Sequence, residues 1–257
     1  MKQLRSMWER RELFKHLVTS KLKLQGANLV LGYLWWILEP LLLMLVYWLL
    51  IGVVFRRGGN EYPLFILCGL VPFRAVVMSL SQAVGSIASR YSIIRQVNFP
   101  RAFLPLSDVA ANYVKLAIGL VVVTGFAVKY GHFPGPQTLL LAIPFALQCL
   151  LSMGLALLMS IVGVYLRDMR NMMQFIVRIW LYLSPVLFPI SRLPGAWQDL
   201  ALLNPMAPII IMYRDIIMSG IAPDPALIAV ALAEIAFLAG TGWLVFMHYE
   251  ARLLKAI

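Results

Sequence analysis

The 257 residues are 61% hydrophobic and 13% charged, with a mean hydropathy of +0.84. Soluble domains are about half apolar and about a quarter charged, so a soluble globular protein is excluded, and the long apolar runs mark an integral membrane protein. A net charge of +11 in a soluble chain would suggest nucleic acid; here the placement of the cations assigns it to the membrane.

The chain opens with MKQLRSMWERRELFKHL. This stretch has no apolar core ending in a small-residue cleavage site, so no cleaved signal peptide is expected. From Leu4 to Leu24 the pattern is amphipathic. Met7, Phe14 and Leu17 fall near one helical face, flanked by Leu4, Trp8, Val18 and Leu24, while Arg10, Arg11 and Lys15 fall mostly opposite. A basic amphipathic helix of this kind is expected to lie in the membrane interface with its apolar face among acyl chains.

A spanning helix needs about 20 mostly apolar residues. Six segments qualify: Leu31–Phe55, Pro63–Ile87, Leu104–Lys129, Thr138–Leu166, Met172–Ile190 and Pro225–Tyr249. They are too long and continuous for the roughly ten-residue alternating strands of a barrel. The expected fold is thus all-α: an interface helix (4–24) and a six-span bundle (31–249) in a single transmembrane domain, 1–257. Between spans two and three lies SRYSIIRQVNFPRAFLP, where Pro100 and Pro105 break helices nearby. Between spans four and five is the tight charged turn YLRDMRN. Between spans five and six, Ala196–Leu203 and Pro208–Met218 are apolar but too short to cross, and prolines bracket them. They read as a re-entrant helical pair, since short helices at membrane depth are tolerated when buried in protein.

Fourteen of the 22 Lys and Arg residues fall on the side of the N-terminus, so the positive-inside rule predicts both termini cytoplasmic. Nucleic acid is not an expected partner. Cys68 and Cys149 lie in apolar runs and imply no disulfide framework. No phosphate-binding G-x-x-x-x-G-K-[ST] loop is present, no G-x-S-x-G elbow, and His16, His132 and His248 are dispersed, so neither a catalytic set nor a metal site is expected.

Ionisable residues inside spans are costly and become candidates by default. Glu39 lies in span one and Arg74 in span two. Asp108 and Lys115 lie seven apart on one face of span three, with Asn112 between them. Interhelical polar pairing and direct contact with a substrate are both open readings. Aromatic residues crowd the first span: Tyr33, Trp35, Trp36, Tyr47 and Trp48, with Tyr113 on the third. Two readings compete, an interfacial anchoring belt and a set of flat faces for the C–H faces of sugar rings.

Four stretches carry a resemblance. LGYLWWILEPLL, VNFPRAFLPLSD, VYLRDMRNMMQFIVRIWLYLSPVLFPISRLP and LLNPMAPIIIMYRDIIMSG occur in an order similar to that of ABC-2 type permeases of the polysaccharide exporter family, which export O-antigen, capsule and wall teichoic acid. The resemblance implies a half-transporter of the bacterial cytoplasmic membrane. Two copies would form a homodimeric channel, two ATP-binding cassette subunits would supply ATP and Mg, and this chain would bind no cofactor itself. The substrate implied is a glycan on undecaprenyl pyrophosphate. On that reading Tyr33, Trp35, Trp36, Trp48, Tyr113 and Lys115 line the channel. Arg10, Arg11, Lys21, Lys23 and Arg101 gather the lipid pyrophosphate at the entrance. Arg90, Ile94, Arg95 and Phe99 transmit motion from the ATPase. The alternatives are an ABC-2 exporter of a drug or small lipid, and a membrane-embedded lipid-modifying enzyme.

Overall fold

The computed structural model describes residues 10–27, 32–90, 99–250 and 252, and its elements are helices throughout. In chain order they are α1 (Arg11–Ala27), α2 (Trp35–Tyr47, extended by a π-helical turn Trp48–Val54), α3 (Tyr62–Ser86) and α4 (Phe103–Val128). Then come α5 (Ala142–Tyr165, entered through the 3-10 turn Pro136–Leu141), α6 (Met169–Leu183), α7 (Gly195–Leu202), α8 (Met206–Arg214, with the π turn Asp215–Ser219) and α9 (Pro225–Glu250).

Five of the expected spans are long and apolar enough to cross a membrane: Gly32–Val54, Tyr62–Ser86, Phe103–Val128, Pro136–Tyr165 and Pro225–Glu250. The chain is therefore a multi-pass membrane protein. The expected fifth span, Met172–Ile190, is shorter than the sequence suggests. Its helix, α6, has 15 residues, a rise of about 22 Å. The cause is local: a residue before proline is driven out of the helical region, and Ser184, ahead of Pro185, has φ −93° and ψ 147°. Ser184, Pro185 and Val186 then continue as buried non-helical backbone.

That backbone needs partners, and α7 and α8 supply them. The two helices meet at 101°, in the position expected for a re-entrant pair. Asn204, at the bend, accepts from the Trp180 indole at 2.9 Å, and Trp180 packs on Phe73 midway along α3. At the far end of α8, Gly220 lies against Gln137, which begins the turn into α5. α8 returns to the end of the bundle where α3 starts. Arg214, within the second helix of the expected re-entrant pair, is buried. It donates to Pro185 O at 2.5 Å, to Val186 O at 2.7 Å and to Phe65 O, and its guanidinium lies 3.4 Å from the Phe65 ring centre. Tyr62 Oη donates to Leu187 O at 2.8 Å. The carbonyls released by the break in the fifth span are thus met by side chains of α8 and α3.

α3 is the central post, buried along most of its length and packed against α2, α4, α5, α6 and α8. α9 lies on α5 through small residues. A methyl group on Gly154 would run into the backbone of Ala239, and one on Gly242 into the carbonyl of Gly154, the close approach that small residues permit between membrane helices. A second cluster closes the Ser86 end. It joins Ile87, Phe99, Phe103, Leu157, Ile161 and Phe246, with Leu13, Phe14 and Leu17 of α1 against it.

The amphipathic helix is present, and the described part of its apolar stripe lies partly against protein. Phe14 packs at a tilt on Phe103, with ring centres 5.3 Å apart, and Lys21 is buried against α4. Leu13, Phe14 and Leu17 meet a cluster to which α4, α5 and α9 contribute, while Leu24 stays exposed. Because Phe14 and Phe246 share one cluster, the described N- and C-terminal helices end on the same side of the bundle.

Replacing Arg214 by Lys keeps the charge and loses the planar fork that reaches three carbonyls. The expected cost is about 1–3 kcal/mol from the carbonyls left unmet, read as a lowered thermal midpoint of the detergent-purified chain.

Candidate functional site

The side of α2 that meets α3 is set by helical spacing. Trp36, Glu39, Leu43 and Tyr47 lie within one face, whereas Trp35, one residue before Trp36, points outward and is exposed. Across from this face stand Arg74 on α3 and Asn112 and Lys115 on α4. Together with Pro40, Val71, Ala75, Met78, Leu116 and Gly119 they line an open cleft.

The polar groups of the cleft are paired in sequence. Glu39 forms an ion pair with Arg74. Lys115 Nζ donates to Asn112 Oδ1 at 3.1 Å and stands 5.4 Å above the Trp36 ring, within cation–π range. Asn112 Nδ2 donates to Gln82 Oε1 at 3.0 Å and to Ser79 Oγ at 3.3 Å. Asp108, on the same face of α4, pairs with Lys21 of α1, which also donates to Leu104 O at 3.0 Å. Asp108 and Lys115 therefore share a face as expected from their spacing, yet each is matched to a different element. A polar ribbon runs between α3 and α4 from Asp108 to Glu39.

Lys21 lies outside the spans, and burial pulls its ammonium down to about 8, against 10.5 for an ordinary lysine. The Asp108 carboxylate opposes this shift. A buried pair whose desolvation outweighs its attraction is a poor source of stability and fixes register instead.

The aromatic residues divide. Tyr33 and Trp36 meet edge to face at 4.9 Å, so these two form one unit at the cleft. Trp48 lies three turns further on, roughly 18 Å along the helix, in a separate cleft with Gly52, Gly58, Asn60, Pro63 and Tyr130. Tyr113 is not on the open side. It is buried in the core, bonded to Ser152 Oγ at 2.7 Å and packed edge to face on Phe145. Of the five rings expected to line the channel, Tyr33 and Trp36 form one pair, Trp35 points outward, and Trp48 and Tyr113 lie at two other places, because α4 presents Lys115 to α2 and turns Tyr113 toward α5.

The cations expected at the entrance also separate. Arg10, Arg11 and Lys23 are exposed on α1 or just before it, with Arg11 3.7 Å from Glu12. Arg101 donates to the carbonyl of Glu250, where a cation meets the negative end of α9. Of the residues expected to meet an ATPase, Phe99 has its ring in the second core cluster, which removes it from a direct contact surface. Ile94 and Arg95 lie outside the described residues. Arg90 lines a cleft at the Ser86 end of the bundle with Lys21, Gln82, Asp108 and Arg170.

The sequence reading missed Ser79 and Gln82, three apart on the side of α3 that meets Asn112, and Glu234 of span six, whose Oε2 is buried with no hydrogen-bond partner among the described residues. The usable signal was any polar residue interrupting an apolar run.

A bundle of apolar helices with a broken fifth span, a re-entrant pair and a polar ribbon facing an open cleft defines a membrane transport protein rather than a soluble binding module. The sequence profile of the ABC-2 type transporter matches residues 12–218, and the chain belongs to that family. It is 28% identical over 252 residues to the O-antigen export system permease protein RfbA of Myxococcus xanthus, covering 97% of this chain and 95% of that one. To a protein of the same description from Klebsiella pneumoniae it is 28% identical over 207 residues, 79% of this chain and 80% of the relative. The polysialic acid transport protein KpsM of Escherichia coli is 26% identical over 199 residues, 74% and 75% of the two chains.

If Lys21 and Asp108 fix register, removing either alone strands a buried charge and costs about 3–5 kcal/mol. The double change Lys21→Met with Asp108→Leu should recover most of that loss. Thermal midpoints of the two single variants and the double variant, compared as a cycle, read this directly.

Proposed function

We propose that this chain is the membrane subunit of an ATP-driven exporter that carries a polysaccharide across the bacterial cytoplasmic membrane. The match to an O-antigen export permease along 97% of the chain carries the reading. The cleft supports it in chemical terms. A Trp36 face edged by Tyr33 suits the C–H side of a sugar ring, and Lys115, Asn112 and the Glu39–Arg74 pair offer donors and acceptors for hydroxyl groups. Sites of this kind hold each sugar weakly, and a conducting path requires that binding be weak enough to leave.

In this reading two copies of the chain face each other across α2 and α6. Their outward faces carry Leu42, Val46 and Leu49 on one helix and Phe175, Ile179 and Tyr182 on the other. Both termini are cytoplasmic, in keeping with the excess of Lys and Arg there. Two ATP-binding subunits dock on that side and hold ATP and Mg, while this chain hydrolyses nothing itself. The segment around Arg90 and Arg95, with the exposed side of α1, forms the contact. The glycan travels on undecaprenyl pyrophosphate.

Leucine keeps the apolar bulk of an aromatic residue and removes its flat face. In cells lacking the native gene, Trp36→Leu and Lys115→Met should each lower surface glycan at least about tenfold, a loss of about 1.4 kcal/mol, at unchanged protein level and with ATPase stimulation intact. Trp35→Leu should be near neutral. Tyr113→Leu should lower the amount of folded protein instead. Full export with Trp36→Leu and Lys115→Met would remove the cleft from the transport path.

A further inference from the structure

The groove beneath α2 continues past the central cleft. Arg74 and Met78 of α3 line that cleft and also a second one on the α6 side, bordered by Tyr47 of α2 and Arg178 of α6. Arg74 lies at the middle of α3 and Lys115 at the middle of α4. The contact of Trp180 with Phe73 puts Arg178 at the same level. Three basic side chains thus line the groove at mid-depth against one carboxylate, Glu39. That carboxylate is committed to Arg74. Lys115 donates to a neutral oxygen, that of Asn112, and stands over a neutral ring, that of Trp36. Arg178 forms no ion pair with any carboxylate among the described residues. Two cations are therefore left unmatched, one on each side of α2. The surface of α6 extends this pattern. Asn171, Gln174, Arg178 and Tyr182 recur at spacings of three and four residues, so they share one face, and all four are exposed. Hydrocarbon cannot meet a row of amide and guanidinium groups, and charged residues at this depth face a polar path or a partner.

We propose that the glycan carried by this chain is acidic, and that Lys115 and Arg178 are the residues that select its negative charge. The inference rests on the exporter reading above and names the chemical class of its substrate. A neutral polysaccharide needs only hydroxyl-matching donors and flat ring faces, which Asn112, Tyr33 and Trp36 already supply. Two further cations with no carboxylate of their own have no use for such a polymer. An anionic group on each repeat gives them one. Polar walls with an excess of one sign concentrate ions of the other sign, and rings of basic side chains are what selects anions in a pore. The Glu39–Arg74 pair keeps the excess modest. It neutralises the central cation, so the charges that remain stand apart and an anionic repeat is passed from one to the next. Asn171 and Gln174 continue the face of Arg178 toward the start of α6 with neutral donors, which leaves the charge selection to the middle of the path.

The test uses the full-length chain in phosphatidylcholine nanodiscs, titrated with a fluorescent oligogalacturonate and with its methyl ester, two probes of equal length that differ only in charge. The acidic probe should bind at least about tenfold more tightly, and the preference should shrink as salt is raised. In Lys115→Met/Arg178→Gln the preference should vanish while binding of the ester stays within about twofold. Arg178→Lys should retain most of it, and Lys129→Gln, at the end of α4, should retain all of it. Thermal midpoints of the variants report whether they fold. Equal binding of the two probes to the wild-type chain overturns the proposal. So does an undiminished preference in the folded double variant, and so does a loss in Arg178→Lys as large as in Arg178→Gln, which would make the effect one of shape and not of charge. The surface glycan that disappears when the gene is deleted gives an independent answer. A repeat bearing a carboxylate or a phosphate supports the proposal, and a neutral repeat overturns it while leaving the exporter reading intact. Loss of no glycan faults the exporter reading, and the two probes still decide whether the groove prefers an acidic chain.

Discussion

Hydrocarbon offers no hydrogen bonds, so backbone that leaves the helical form at membrane depth must find every partner inside the protein. In this chain that demand falls on Ser184–Val186. Pro185 stops α6 and frees carbonyls that no following turn can use. Arg214 and Tyr62 supply the missing donors. The position of α8 follows, since its last turn must bring a guanidinium to the broken strand of backbone, and α7 is the descending arm that makes the return possible. Phe65 adds a ring face and a carbonyl to the same guanidinium, which ties the start of α3 into the arrangement.

The same shortage of solvent explains the ribbon between α3 and α4. Glu39, Arg74, Asn112, Gln82, Asp108 and Lys21 each meet another polar group. None of these pairs is a strong source of net stability, because desolvation offsets attraction. Their effect is positional. They fix which faces of α1, α2, α3 and α4 meet, and in doing so they leave Lys115 and Trp36 at an open cleft while Tyr113 is withdrawn into the core.

The outer helices show the complementary principle. α2 and α6 keep much of their apolar surface exposed, which costs nothing in lipid and leaves those surfaces available for lipid or a second copy. α1 does the reverse. Leu13, Phe14 and Leu17 pack against the cluster shared by α4 and the end of α9, so the helix is tied to the bundle. Any force on α1 is passed to α4 through Lys21 and Phe14.

Composition and run length alone determined the all-helical membrane class, the number and order of the apolar segments, the amphipathic first helix and the re-entrant pair, because each depends only on how many apolar residues lie between breaks. Four ordered motifs were enough to point to the family that the profile and the full-length relatives then supported. What the sequence could not decide was partnership. Spacing placed Asp108 and Lys115 on one face but gave no means of learning that Lys21, 87 residues away, would claim the carboxylate. Counting apolar residues put Arg214 within a short re-entrant helix but gave no means of learning that carbonyls of another segment would meet it. Aromatic residues of the first and third spans suggested one shared lining, and only the rotation of α4 against α2 and α5 separated Tyr113 from Trp36. Local rules fix the elements because their causes lie within a few residues; the rotation of each helix about its axis is settled by desolvated polar groups finding one another across the bundle, and that is a property of the assembled tertiary structure alone.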